Sequence, residues 1–260
     1  MHVHRALFIF ICAVVSAVLV GAGTAPSDDL TSAEQDLIEL FGSKLAMKPI
    51  KGGTPIDRES LVKAWMTSMT GGFLETHGPH KGKVLKRSVT STKKYPAKWP
   101  NKKNGAITIN LPGEFVYYEV HDDSRGVMIP TELDIANAVH VVYEPGELAL
   151  PAGKDTSEYT TSVKVYALHD PGSVEHSGSL RINAQDRGEW NVTTPAGTFP
   201  CVMYTIRYDG KVGPASVKET AIVFANAEHG CIAKVTRNKV TAFLVYNSDQ
   251  REALVLVEKP

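Results

Sequence analysis

Residues 189–206 read EWNVTTPAGTFPCVMYTI, and the reading of this stretch decides the fold. Trp190 and Val192 alternate with polar neighbours, so an extended chain puts both on one face. Thr194-Pro195-Ala196-Gly197-Thr198 then interrupts the run. Proline has no N–H to give a ladder, and glycine accepts the positive φ that a tight reversal needs. Phe199, Cys201, Met203 and Thr205 resume the alternation. The pattern predicts a hairpin: strand, Pro-Ala-Gly reversal, strand. It has no adjacent general base and no phosphate-loop glycines, so nothing in it points to catalysis.

The same period of two extends on both sides. From about residue 106 the chain offers AITINL, EFVYYEV, AVHVVYE, TTSVKVYAL, GSLRINA, EWNVTT, CVMYTIRY, ETAIVFAN, CIAKVTR, VTAFLVYN and ALVLVEK. These runs are short, rich in β-branched and aromatic residues, and bounded by Gly, Pro, Asn and Asp. The gaps leave no room for crossover helices, so neighbouring strands must be antiparallel. So many strands in one unit favour a closed or strongly curved sheet, which limits exposed edges.

Helical periodicity is confined to the region before. In TSAEQDLIELFGSKLAM, Leu37, Leu40, Phe41 and Leu45 share a face, and Ser32 with Gln35 forms a capping box. In TPIDRESLVKAWMTSMTGG, Thr54 can cap and Pro55 suits the first helical position. Leu61, Ala64, Trp65 and Met69 line one side, and Gly71-Gly72 ends the helix. The fold class expected is α+β, mainly β: a curved antiparallel sheet or half-barrel with one or two N-terminal helices.

Arg5 followed by the apolar run Ala6–Val20 and the small residues after it reads as a secretory signal peptide, cleaved after Ala22. The run is too short for a comfortable membrane span. The organisation expected is a signal peptide over 1–22, a helical segment over 23–75, a basic connecting segment over 76–113 and an antiparallel β domain over 114–260. The protein is expected to be secreted or periplasmic.

The 260-residue chain is 43% hydrophobic, which excludes a disordered chain, and its formal net charge is zero. Neutrality hides an asymmetry. The connecting segment holds no Asp or Glu but nine basic residues: Lys81, Lys83, Lys86, Arg87, Lys93, Lys94, Lys98, Lys102 and Lys103. Tyr95 and Trp99 lie among them. Lysines with interleaved aromatics can meet an anionic polymer or an anionic lipid surface. The bland reading is a solvated connection that balances the acidic remainder of the chain. Secretion argues against nucleic acid as the partner.

Cys201 and Cys231 are the cysteines left once the leader is removed. In an oxidising compartment they are most simply a disulfide; the alternative is two separate buried thiols. Groups that could bind metal or do acid–base work are Glu75, His77 and His80; His121, Asp122 and Asp123; His169, Asp170, Glu175 and His176; and Glu228 with His229. None has a metal-site spacing, so no metal, cofactor or catalytic residue is assigned. A metal-dependent hydrolase remains the third reading. Asn191 in WNVT is a formal glycosylation acceptor, read as a chance match within a strand.

Gly188, Trp190, Val192, the run Thr194–Phe199 and the later glycine strand EHGCIAKV form a pattern. It resembles uncharacterised bacterial secreted β-domains whose sheets look like the half-barrel of the lipoprotein carrier proteins. The resemblance covers about residues 145–245. It implies no catalytic residues, and at most the binding of an apolar or lipid-like ligand in a curved sheet. The basic segment and the cysteine pair are not parts of that pattern. The function expected is therefore a non-enzymatic envelope or binding protein.

Overall fold

The computed structural model of the chain describes residues 30–67, 70–92, 106–111, 114–134, 138–153, 157–242 and 246–259; of these, side chains 66–67, 87–92 and 106–123 lie outside the description. Residues 1–22, expected to be a signal peptide, lie outside the described residues.

Helix α1 spans Ser32–Ile38 and passes into a 3-10 turn over Glu39–Lys44, followed by the short strand β1, Ala46–Pro49. The N-cap is Thr31, not Ser32. Its side chain accepts from the Glu34 N–H while the Glu34 carboxylate takes the Thr31 N–H. Glutamate at that position makes the reciprocal bond, which moves the box one residue earlier. Helix α2 spans Arg58–Thr67. Its cap is Asp57 rather than Thr54, accepting from the N–H groups of Glu59 and Ser60 at 3.1 Å each. Gly71 and Gly72 do not end this helix but open strand β2, Gly71–His77. A Cβ on Gly71 would meet the Glu258 carbonyl at 2.7 Å, so the glycine is kept for a close backbone approach.

The other strands are β3 (Val84–Thr92), β4 (Ala106–Leu111), β5 (Glu114–Asp123), β6 (Gly126–Asp134), β7 (Val139–Pro151), β8 (Ser157–Ala167), β9 (Asp170–Thr194), β10 (Gly197–Val212), β11 (Ala215–Asn226), β12 (Gly230–Ala242) and β13 (Tyr246–Glu258). They form the expected curved antiparallel sheet, in the order β9-β10-β11-β12-β13-β2-β3-β4-β5-β6-β7-β8. The opposite edge of β9 carries β8 along residues 170–184 and β1 along residues 190–193. Strands thus begin well before residue 106. The sheet also includes β6, not among the expected strands, whose alternation is broken at Pro130 by a register shift between Ile129 and Thr131.

The hairpin at 189–206 forms as expected. Thr194 faces Gly197 across a two-residue Pro195-Ala196 turn, and Gly197 has φ 135°. GSLRINA and EWNVTT, however, belong to one long strand. Between Asp186 and Glu189, β9 spends three steps where β10 spends two, from Val202 to Tyr204. The extra residue is a β-bulge at Arg187-Gly188, with Gly188 at φ 85°, and pairing continues through it.

The sheet buries both faces. On one, Trp190, Val192, Phe199, Cys201 and Met203 pack with Phe224 and Ile222 under Leu37 and Phe41 of the α1 region. On the other, Val202, Tyr204 and Ala225 pack against Leu61 and Val62 of α2, which also touch Val127 of β6 and Leu150 of β7. Helix α2 therefore lies inside the curve, between β11–β12 and β6–β7. Beyond it, Met128, Val141, Tyr143 and Leu148 meet Ile206, Tyr208, Val217 and Val240 in a single core.

Candidate functional site

The β9 bulge organises both helices. Asp186 and Glu189 point inward and grip Arg58 at the start of α2. Arg58 Nε and Nη2 donate to Asp186 Oδ2 at 3.2 and 2.7 Å, and Nη1 donates to Glu189 Oε1 at 2.6 Å and to the Ile56 carbonyl at 2.8 Å. Glu189 Oε1 also accepts the Ile56 N–H at 3.0 Å, and Asp186 Oδ1 accepts the Gly188 N–H at 2.7 Å. Arg187, between them, projects to the other face and donates from Nη2 to Glu34 Oε2 at 2.9 Å. The bulge lets Asp186 and Glu189, three residues apart, share the inner face, where regular alternation would point them to opposite faces.

Glu34 is 1% exposed on its side chain. Burial pushes its carboxyl up. Hydrogen bonds from the Thr205 hydroxyl at 2.6 Å and from the Thr31 N–H and hydroxyl at 2.9 Å each, with the Arg187 charge, outweigh that and hold it below the usual range. Arg207 Nη2 adds a second cation at 3.7 Å.

The interior carries a second set of acids. Glu132 on β6 and Glu147 on β7 are both buried. Burial, then the charges of Glu147 and Asp134, push Glu132 well above the carboxylate range, opposed by the nearby Tyr143, while both Glu132 carboxyl oxygens are buried without a hydrogen-bond partner. Burial and then Glu219 push Glu147 up to about 8, opposed by Lys234 and Tyr208. His140, buried on β7, is lowered to about 4 by burial, and its Nε2 lies 2.7 Å from the Thr131 hydroxyl.

The residues singled out from sequence are dispersed. Lys81, Lys83 and Lys86 are exposed around the β2–β3 turn, Lys86 lying 3.9 Å from the exposed Glu258. The Arg87 side chain, and Lys93, Lys94, Tyr95, Lys98, Trp99, Lys102 and Lys103 entirely, lie outside the described residues, as do the side chains of His121, Asp122 and Asp123. His80 serves Glu75 structurally, its N–H donating to Oε1 at 2.6 Å. His229 packs edge-on against Phe199. Asn191 is exposed on β9 opposite Pro200 and Lys48. Among the described residues, no group of three His, Cys, Asp or Glu could hold a metal ion.

The expected disulfide is not seen: Cys201 and Cys231 are both buried and no bond joins them. Cys201 is on β10 and Cys231 on β12, with β11 hydrogen-bonded between them. Two strand spacings separate such backbones by about 9–10 Å, beyond the ~4.4–6.8 Å that a disulfide spans. Burial, with the nearby Cys231, raises the Cys201 thiol well above its ordinary value, so it stays protonated.

The residues that tie the fold together, Arg58, Asp186, Glu189, Glu34 and Arg187, went unread in the sequence. Their partners lie 128 to 153 residues away. The one local signal was Glu34 three residues after Thr31.

No protein-family model matches the chain, and no curated protein matches it. A solved structure described as "a putative lipoprotein from Parabacteroides distasonis ATCC 8503" aligns with 75% of this chain and 98% of its own, at 16% identity and a TM-score of 0.30. At that level the likeness carries no assignment of function. What is established is a mainly β chain with one large curved antiparallel sheet and, among the described residues, two α-helices.

Proposed function

We propose that this is a non-enzymatic, β-rich protein of the secretory route, periplasmic or released, that acts in the cell envelope through its surface. The observation that carries this reading is the position of α2. Leu61 and Val62 are buried between Val202, Tyr204 and Ala225 of the β10–β12 wall and Val127 and Leu150 of the β6–β7 wall, so the chain's own helix occupies the inside of the curve at that level. Arg58 clamps it there. A carrier of an apolar or lipid-like ligand would need that volume free. The test is lipid extraction and mass spectrometry of protein purified from its native host, with uptake of fluorescent fatty acids as a second readout. The expected result is no stoichiometric lipid and no uptake. Reproducible bound lipid would overturn the filled-interior reading in favour of a carrier.

A second reading rests on the exposure of Lys81, Lys83 and Lys86 at one end of the sheet. With the lysines that follow, they would meet an anionic polymer or lipid surface. Binding to heparin or to vesicles containing phosphatidylglycerol should then weaken steeply with salt. Replacing Lys93, Lys94, Lys102 and Lys103 by Gln should weaken it further, and unchanged affinity in that variant would sink this reading.

A further inference from the structure

The two walls of the curved sheet touch beyond α2, and ionisable groups sit where they touch. Glu132 is fully buried and stands cross-strand from the core residue Val141. Glu147 is buried beside Leu148, whose carbonyl accepts the Tyr208 hydroxyl at 3.0 Å. That bond joins β7 to β10 across the interior. Tyr208 is in register with Glu219 of β11, which places a further carboxylate on the opposing wall. Met128, Tyr143 and Leu148 from one wall and Val217 and Val240 from the other enclose the place in apolar surface. We propose that this contact is a proton-gated seam, closed while Glu132 and Glu147 are neutral and loosened when they ionise.

The groups that face the seam are Glu132 and Asp134 from β6, Tyr143 and Glu147 from β7, Tyr159 from β8, Tyr208 from β10, Glu219 from β11 and Lys234 from β12. From α2, Arg58 is committed to Asp186 and Glu189, while Lys63 and Glu59 pair with each other in solvent. Among the described residues, Lys234 opposes Glu147 and Arg125 lies over the Tyr159 ring at 5.0 Å, against several carboxyl groups. A carboxylate formed here loses water and meets like charge, so the closed seam favours the protonated forms. In the opened seam the same groups return to water and to their ordinary acidity. Opening then releases protons, and its equilibrium constant rises with pH by up to about tenfold per unit for each carboxyl group involved. The Glu147 contribution stops rising near pH 8, where that group ionises in the closed form as well.

The experiment is native-state hydrogen exchange on the full chain from pH 5 to 9, with rates corrected for intrinsic base catalysis. Amides of β6, β7 and β10 report the seam; those of β2 and β13 near Phe73 and Leu256 are the control. In the wild type the corrected opening constant for the seam should rise with pH, while the control amides rise less. Glu132→Gln with Glu147→Gln should flatten that rise. Glu219→Gln removes the facing charge and should move the levelling-off to lower pH. A flat wild-type profile, or the same rise in the double variant, would overturn the proposal. If the double variant does not fold, Glu219→Gln decides alone, because an unchanged profile there removes the role of the facing carboxylates.

Discussion

Replacing Arg58 by methionine keeps much of the side-chain stem and removes the charge. The cost can be read from what is left behind. Asp186, 3% exposed on its side chain, loses both guanidinium contacts and keeps the Gly188 N–H; Glu189, 16% exposed, loses its contact at 2.6 Å and keeps the Ile56 N–H. Breaking a buried pair by removing one partner costs about 3–5 kcal/mol, because the orphaned charge stays desolvated. Glu189 is partly solvated, so the lower half of that range applies, about 3–4 kcal/mol. This is a large part of the roughly 5–15 kcal/mol by which a domain is stable. Urea unfolding at pH 7, followed by tryptophan fluorescence, measures it. Arg58→Met should lower the midpoint with a nearly unchanged slope. Adding Asp186→Asn and Glu189→Gln should recover much of the loss, since no orphaned charge remains. Arg58→Lys should fall between, because an ammonium cannot reproduce the fork. An Arg58→Met variant within about 1 kcal/mol of wild type would refute the reasoning, since the clasp would then be a solvated pair.

Three further outcomes follow from the same structure. Glu34 has a lowered pKa in the fold, so its contribution is present above the ordinary value of 4.5 and is lost as pH falls. Glu34→Ala should cost about 2–4 kcal/mol at pH 7 and make acid unfolding shallower; an unaltered acid limb would count against it. Glu147 has the opposite sign. Its raised value means no cost below 4.5 and a growing one up to about 8, with an upper bound of about 5 kcal/mol, so stability measured across that window should decline less in Glu147→Gln than in wild type. The thiols of Cys201 and Cys231 should resist DTNB in the native protein and both react in denaturant without a reductant; a denatured protein with no thiol titre would show that they are bonded.

The hairpin at 189–206 was legible because its causes are local: a period of two, a proline that leaves the ladder and a glycine that turns it. The run of short β-patterned segments was legible for the same reason, and with it the antiparallel curved sheet. Both helices were legible as amphipathic stripes, although their caps were misplaced by one residue in α1 and by three in α2. Capping depends on which of several neighbouring side chains reaches the backbone, and spacing does not rank them. Strand β6 escaped notice because its register shift around Pro130 breaks the alternation. The bulge at Arg187-Gly188 made one strand read as two.

By itself, then, the sequence determined the type of each well-patterned element, since backbone geometry and local side-chain periodicity act over a few residues. Only the tertiary structure decided what those elements enclose. Alternation says that Val202 and Met203 face opposite ways, but not that one meets α2 and the other lies under α1. It offers Cys201 and Cys231 as a pair but cannot show that β11 lies hydrogen-bonded between them. It marks Arg58, Asp186, Glu132 and Glu147 as charged, which ordinarily means surface. Burial in a sheet that curves back on itself makes the first two a clasp and the last two neutral acids, and those energies depend on partners far apart in the chain.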